Sequence, residues 1–223
     1  MGNKGNKVEE LSNLTVDHPD FFVRNSRLED VERLVELARL SFNPSEIAFT
    51  KGNFCRQIET FPEGQICVEY KGDIIGSCSS VIVNIEDYPK EHTLKEISDN
   101  GNIQNHNVNG KHLYGIDVIV HPNFRQRKIG KRLYEARKQV CKKLDLQSII
   151  YGGRIPYYQK YAETMAVEDY VDKVIEGKIY DPVLTFQLKN GFQFKHIMPN
   201  YLPTDSESMF YATFMEWKTG SIK

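Results

Sequence analysis

Between positions 113 and 144 an apolar strand, a basic loop and an amphipathic helix follow one another without a break, and this unit limits the chain more than any other. Residues 113–120 read as a strand that His121-Pro122 ends. Arg125, Arg127, Lys128, Lys131 and Arg132 then crowd the entry to a helix from Gly130 to Leu144, with Leu133, Ala136, Val140, Cys141 and Leu144 on one face. The first turn of any helix carries N–H groups without intrahelical partners, and its dipole favours an anion there. Five cations at such a place oppose that dipole unless an anion joins them. The unit therefore predicts a phosphate or pyrophosphate site; a solvated basic turn is the competing reading.

The rest of the chain is built to support one such unit. Its 223 residues, 40% of them hydrophobic, suffice for one full core. A net charge of −1 argues against nucleic acid as the main partner. Cys55, Cys67, Cys78 and Cys141 form no C-x-x-C pair, and no His lies at ligand spacing, so reduced buried thiols and no metal are expected. No apolar run approaches bilayer length, and the first residues lack an apolar signal region. Position 6 is Asn where a myristoylation signal wants Ser or Thr. A cytoplasmic protein without membrane contact is the expectation, with residues 1–20 a flexible arm and 218–223 a tail.

Local patterns supply the remaining elements. Residues 21–24 read as a strand, followed by a helix that Ser26 and Glu29 open as a capping box and Asn43-Pro44 stops. A weaker helix covers 51–60. Residues 66–70 and 74–83 form a hairpin about Lys71-Gly-Asp73. The Asn-rich stretch 86–111 reads as a long surface excursion with one helical turn at 94–97. Residues 147–151 are a strand closed by Gly152-Gly153, and short helices are expected at 156–165 and 167–176. Asp181-Pro182 starts a helix that Gly191 ends, and 192–197 and 209–217 are the last strands. The order predicts an α/β (α+β) domain over 21–217, with a mixed, mostly antiparallel twisted sheet and helices on both faces.

Val118-x-Val120-x-Pro122-x-x-Arg125-x-Arg127-x-Ile129-Gly130-x-x-Leu133 resembles the acetyl-coenzyme A signature of the GNAT N-acetyltransferases, and the upstream and downstream layouts are similar over roughly 21–217. Gly152-Gly-Arg-Ile-Pro156, Asp181-Pro-Val-Leu-Thr-Phe-Gln-Leu188 and Pro199-Asn-Tyr-Leu-Pro203 are similar to a branch of that family often fused ahead of a nitrilase-type carbon–nitrogen hydrolase. The resemblance implies acetyl-CoA as cosubstrate and direct transfer of acetyl to a small-molecule amine. It implies that the backbone of Val118, Ile119 and Val120 pairs with the pantetheine arm. Amides and cations of Arg125, Gln126, Arg127, Lys128, Ile129, Gly130 and Lys131 would hold the pyrophosphate, and an amide near Ile119 would polarise the thioester. A homodimer or a hydrolase partner is compatible with it.

The sequence departs from the family pattern at two places. Gln126 and Lys128 stand where the family usually has Gly, which accepts positive φ at no steric cost. Gln187 stands where many members place an acidic Tyr. Asp117 is the candidate base, against a reading as an exposed strand carboxylate; Tyr180 is the substitute acid, against a reading as a Tyr packed at a helix cap. His121 titrates near neutrality but reads as a surface loop residue. Arg154 either meets a substrate carboxylate or pairs with an acidic neighbour. Tyr157, Tyr158, Tyr161 and Tyr170 line an acceptor pocket or, at helical spacing, pack together. A non-catalytic CoA-binding sensor and a docking module for a hydrolase are the competing functions.

Overall fold

The computed structural model describes residues 20–41 and 49–220. The expected arm, apart from Asp20, and the helix stop at Asn43-Pro44 lie outside them, as do residues 221–223. Seven strands form one sheet: β1 (Phe21–Asn25), β2 (Ile66–Tyr70), β3 (Asp73–Val83), β4 (His112–Val120), β5 (Ser148–Arg154), β6 (Gln193–Met198) and β7 (Ala212–Lys218). Their order is β1-β2-β3-β4-β5-β7-β6, and every neighbouring pair is antiparallel except β4 and β5. The helices are α1 (Val31–Ser41), α2 (Lys51–Thr60), α3 (Leu94–Ile97), α4 (Ile129–Lys143), α5 (Val167–Ile175) and α6 (Leu184–Lys189). Ser79 Oγ donates to Gln57 of α2, and the hydroxyl of the next residue, Ser80, accepts from Arg137 of α4. Successive strand side chains point to opposite faces, so α2 and α4 cover opposite sides of the sheet. The expected mixed sheet with helices on both faces is what the chain forms.

Several local expectations change in the folded chain. The capping box at Ser26 and Glu29 does not form. Asp30 takes its place, accepting from the Arg27 N–H at 2.8 Å, because Arg24 and Arg33 draw its carboxylate inward. The stretch 86–111 is no surface excursion. Ile97 and Ile103 are fully buried, and Gln57 Nε2 donates to Gly101 O at 2.8 Å, so the segment packs under α2. Gly152 and Gly153 do not close β5 but continue it, paired with Phe214 and Thr213. A Cβ on Gly152 would lie 2.2 Å from the Tyr201 ring, and one on Gly153 2.2 Å from Gln187 Oε1. These glycines serve close packing, not a turn. The helix expected at 156–165 shrinks to a 3-10 turn at Tyr158–Lys160, and β7 starts at Ala212 because Met209 and Phe210 are left-handed.

One buried cation organises the middle of the sheet. Arg137, on the core face of α4, is fully buried. Its Nη2 donates to Ser79 O (2.7 Å) and Asp117 O (2.8 Å), its Nε to Ser80 Oγ (2.9 Å) and its Nη1 to Tyr151 Oη (2.6 Å). Those carbonyls flank the register break at which Ser79 pairs Asp117 and Ser80 pairs Gly115, leaving Ile116 as an extra residue in β4. Arg137→Ala strands these acceptors in the core, so urea unfolding should show a loss of about 3 kcal/mol or more. Arg137→Lys should recover little of it, since an ammonium lacks the planar fork.

Candidate active site

β4 and β5 are paired only at His112–Ser148, Leu113–Ile149 and Tyr114–Ile150, and beyond Tyr114 they part. Tyr151 packs at this point: a Cβ on Gly115 would lie 1.9 Å from a ring carbon, so the ring lies over the β4 backbone, with its hydroxyl held by Arg137. The extra residue of β4, Ile116, falls where the pairing ends, and the edge of β4 from Gly115 onward is open towards β5. The bulge also breaks the strict alternation expected along β4, placing Asp117 on the sheet face opposite to that of Gly115.

The gap opens outward as a cleft of about 640 Å³. One wall carries Val118, Ile119, Val120, Arg125, Gln126, Lys128, Ile129, Gly130 and Lys131; the other carries Tyr180, Pro182, Val183 and Phe186. Arg127 stands apart from this wall, its guanidinium 5.3 Å from the Phe124 ring centre. The loop keeps the backbone that glycines would give it: Gln126 has φ 65° and Lys128 φ 61°. Each left-handed non-glycine residue costs on the order of 1–2 kcal/mol. Among the described residues no hydrogen bond occupies the N–H groups of Gln126 through Lys131. Gly130 lets Phe186 of α6 approach to 3.2 Å of where its Cβ would be, which narrows the cleft. A pyrophosphate fits this cradle of free amides, a helix start and cations.

Behind the cleft lies a smaller cavity of about 210 Å³, walled by Phe49, Leu94, Ile116, Tyr201 and Leu202, by the backbone of Gly152 and Gly153, and by Asp117 and Gln187. Val118, Tyr134, Arg154 and Val183 border both spaces. Asp117 is not an exposed strand carboxylate. Its Oδ1 accepts from Ser79 N–H at 2.7 Å, while Oδ2 is shut off from solvent without a hydrogen-bond partner. Burial pushes its carboxyl up to about 6, against the opposing pull of the Arg137 charge and the Ser79 N–H. Gln187 is buried too, and its Oε1 likewise has no partner.

Of the other side-chain candidates from the sequence only Arg154 borders this cavity. Tyr180 is 61% exposed on the outer wall, edge-on to Tyr157. Arg154 is engaged by Asp205 at 2.6 Å and Glu207 at 3.1 Å, which settles it as an ion-paired residue. His121 caps a turn, its Nδ1 accepting from Asn123 N–H. Tyr158, Tyr161 and Tyr170 pack on one another, and Tyr170 Oη donates to Asp181. Tyr134, Arg137 and Tyr201 were not singled out by the sequence. The only trace of the first two is that they fall on the apolar face of α4, beside Leu133 and Ala136.

The model of the "Acetyltransferase (GNAT) family" matches residues 28–161, and the chain belongs to that family. It is 39% identical over 199 residues to the "Uncharacterized N-acetyltransferase YkwB" of Bacillus subtilis (strain 168), covering 88% of both chains. It is 48% identical over 210 residues to the "Probable hydrolase YhcX" of the same organism, using 94% of this chain but spanning only 41% of that protein. Among solved structures, the loading GNATL domain of CurA from Lyngbya majuscula superposes with a TM-score of 0.79 at 20% identity, covering 89% of this chain and 97% of that one. The GphF GNAT-like decarboxylase in complex with isobutyryl-CoA superposes at 0.76 and 20%, covering 88% and 98%. At that identity these two show the fold. No helix of the described residues is long and apolar enough to cross a membrane.

Two measurements check the site's strain. Gln126→Gly and Lys128→Gly each relieve a left-handed side chain, so thermal unfolding should show a net gain of about 1 kcal/mol or less, glycine's larger unfolded-state entropy offsetting part of the relief. Asp117→Asn should also stabilise the fold, with a definite pH dependence. A carboxyl raised to about 6 when folded destabilises the native state once it ionises. The variant's advantage should therefore be about 1–3 kcal/mol at about pH 8 and vanish below about pH 4, where Asp117 is protonated in both states.

Proposed function

We propose that this protein transfers an acetyl group from acetyl-CoA to the primary amine of a small molecule. Membership of the acetyltransferase family and the fit of the outer cleft to a pyrophosphate support the donor. One observation carries the acceptor: Asp117 and Gln187 line one cavity with otherwise largely apolar walls, and each carries a buried oxygen, Oδ2 and Oε1, without a hydrogen-bond partner. Buried acceptors left unpaired are costly, so the ligand that belongs there brings donors. An ammonium or amine group on a short apolar body meets that requirement. A carboxylate does not: it would face the Asp117 carboxylate, while Arg154 is taken by Asp205 and Glu207 and Arg137 by the sheet. That polarity separates this reading from a decarboxylase such as GphF.

Bound acetyl-CoA supplies an acyl group activated as a thioester. Val118, Ile119 and Val120 present the open edge of β4 to the pantetheine arm, as an added strand would meet it. The amides from Gln126 to Lys131 hold the pyrophosphate, with Arg125, Lys128 and Lys131 adding charge. An amide at or beside Ile119 donates to the carbonyl oxygen as negative charge develops on it. Asp117 takes a proton from the amine, which then attacks directly. Tyr180 protonates the departing thiolate; its exposure lets water recharge it. Burial pushes the Tyr134 hydroxyl up to about 12, which makes it a poor acid.

Isothermal titration calorimetry with acetyl-CoA tests the donor, and an absence of heat at about millimolar ligand would remove it. Release of CoA thiol with a panel of short primary amines tests the acceptor and separates an enzyme from a CoA-binding sensor. Asp117→Asn should lower kcat about 10²-fold while leaving acetyl-CoA affinity unchanged. Wild-type activity should fall as pH drops through about 6, where Asp117 gains its proton. Undiminished turnover in the variant would retire the base.

A further inference from the structure

We infer that Tyr201, Tyr114 and His92 form a proton path leading from the inner cavity to a buried imidazole, a reading that rests on amine acetylation at that cavity. The need follows from atom balance. An ammonium that becomes an amide sheds two protons: one finishes on the CoA sulfur and the other must reach solvent. Asp117 can hold one proton at a time, so a second acceptor on another wall completes the balance.

The three groups are linked end to end. The Tyr201 ring borders the cavity and lies over Gly152. The hydroxyls of Tyr201 and Tyr114 are 3.0 Å apart, and the Tyr114 hydroxyl is 3.0 Å from His92 Nε2. His92 Nδ1 lies 2.9 Å from Pro89 O. A carbonyl only accepts, so Nδ1 carries the ring hydrogen and Nε2 presents a lone pair. With the ring neutral, Tyr114 therefore donates to His92 and accepts from Tyr201; the opposite orientation, Tyr114 donating to Tyr201, is the one left once His92 holds the proton. All three residues are buried, at 3%, 0% and 1% exposure in order from the cavity. Phenylalanine would fill the same space without polar atoms in the core, so the aligned hydroxyls need a purpose.

The transfer balances. The amine nitrogen gives a proton to Tyr201 Oη, Tyr201 passes its own to Tyr114 Oη, and Tyr114 passes its own to His92 Nε2. Each hydroxyl ends with one proton and His92 becomes imidazolium. His92 faces Tyr114 on β4, Tyr201, Tyr88, Glu96 on α3 and His196 on β6. Burial outweighs the Glu96 charge and holds its basicity below that of a free imidazole, so it stands neutral and ready at pH 7. Pro89, Lys90 and Glu91, the turn that covers it, are exposed, which places solvent on the far side. His92 and Tyr114 act through Tyr201 and are positioning residues.

The test uses the full chain, Tyr114→Phe, and thiol release from acetyl-CoA with short n-alkyl primary amines. At about pH 7 the variant should lose about 10²-fold in kcat with its acetyl-CoA KM unchanged. The deficit should shrink to a few-fold at about pH 10, where the amine arrives neutral. Equal loss at both pH values would mean a structural strut and overturn the path, as would wild-type turnover in the variant. Ring-nitrogen NMR of the wild type should show His92 as the Nδ1–H tautomer; the Nε2–H tautomer would overturn the path whatever the turnover. A wild type that binds acetyl-CoA but acetylates no amine would instead sink the functional reading, and the path with it.

Discussion

The Arg137 guanidinium is the interaction on which the site depends. Buried cations are tolerated only when their donors are met. Here the acceptors are two carbonyls either side of the β-bulge, a serine hydroxyl and the Tyr151 hydroxyl. One side chain thereby fixes the extra residue in β4 and the Tyr151 ring that lies over Gly115. The same charge sits near Asp117 and tempers the rise that burial forces on its carboxyl. Sheet geometry and site electrostatics have a common origin in α4.

The phosphate loop shows the opposite economy. Its backbone stays left-handed at Gln126 and Lys128 although neither residue favours it. Strain of this kind persists only where the surroundings over-determine it. Ile129 supplies part of that constraint: a Cβ on Gly76 would lie 2.7 Å from it, so the helix start is pressed onto β3. The cradle of amides is thus held by packing beneath it rather than by the conformational freedom of its own residues.

The strand–loop–helix unit was legible because its signals are local: an apolar run, a Pro stop, and a 3.6 period after Gly130. The hairpin at Lys71-Gly72 and the second helix were legible on the same grounds. What escaped was decided by partners far away in sequence. Arg137 looks like one more solvated charge on α4 until Ser79, Asp117 and Tyr151 are brought around it. Gly152-Gly153 looks like a turn until Tyr201 and Gln187 lie against them. The polar stretch 86–111 looks solvated because it is rich in asparagine, while Ile97 and Ile103, with His92 and Ser98, are buried in it. Asp117 was found as a candidate, but its environment depends on a register shift that no single-strand pattern encodes.

Gly115 gives that dependence its sharpest form. On most strands the difference between hydrogen and methyl at one position is a matter of local propensity. Here a single extra carbon would meet the Tyr151 ring at 1.9 Å, and the ring could yield only by withdrawing its hydroxyl from Arg137. The shape of the inner cavity, which both residues line, is thus set in part by what Gly115 lacks, two residues from Asp117.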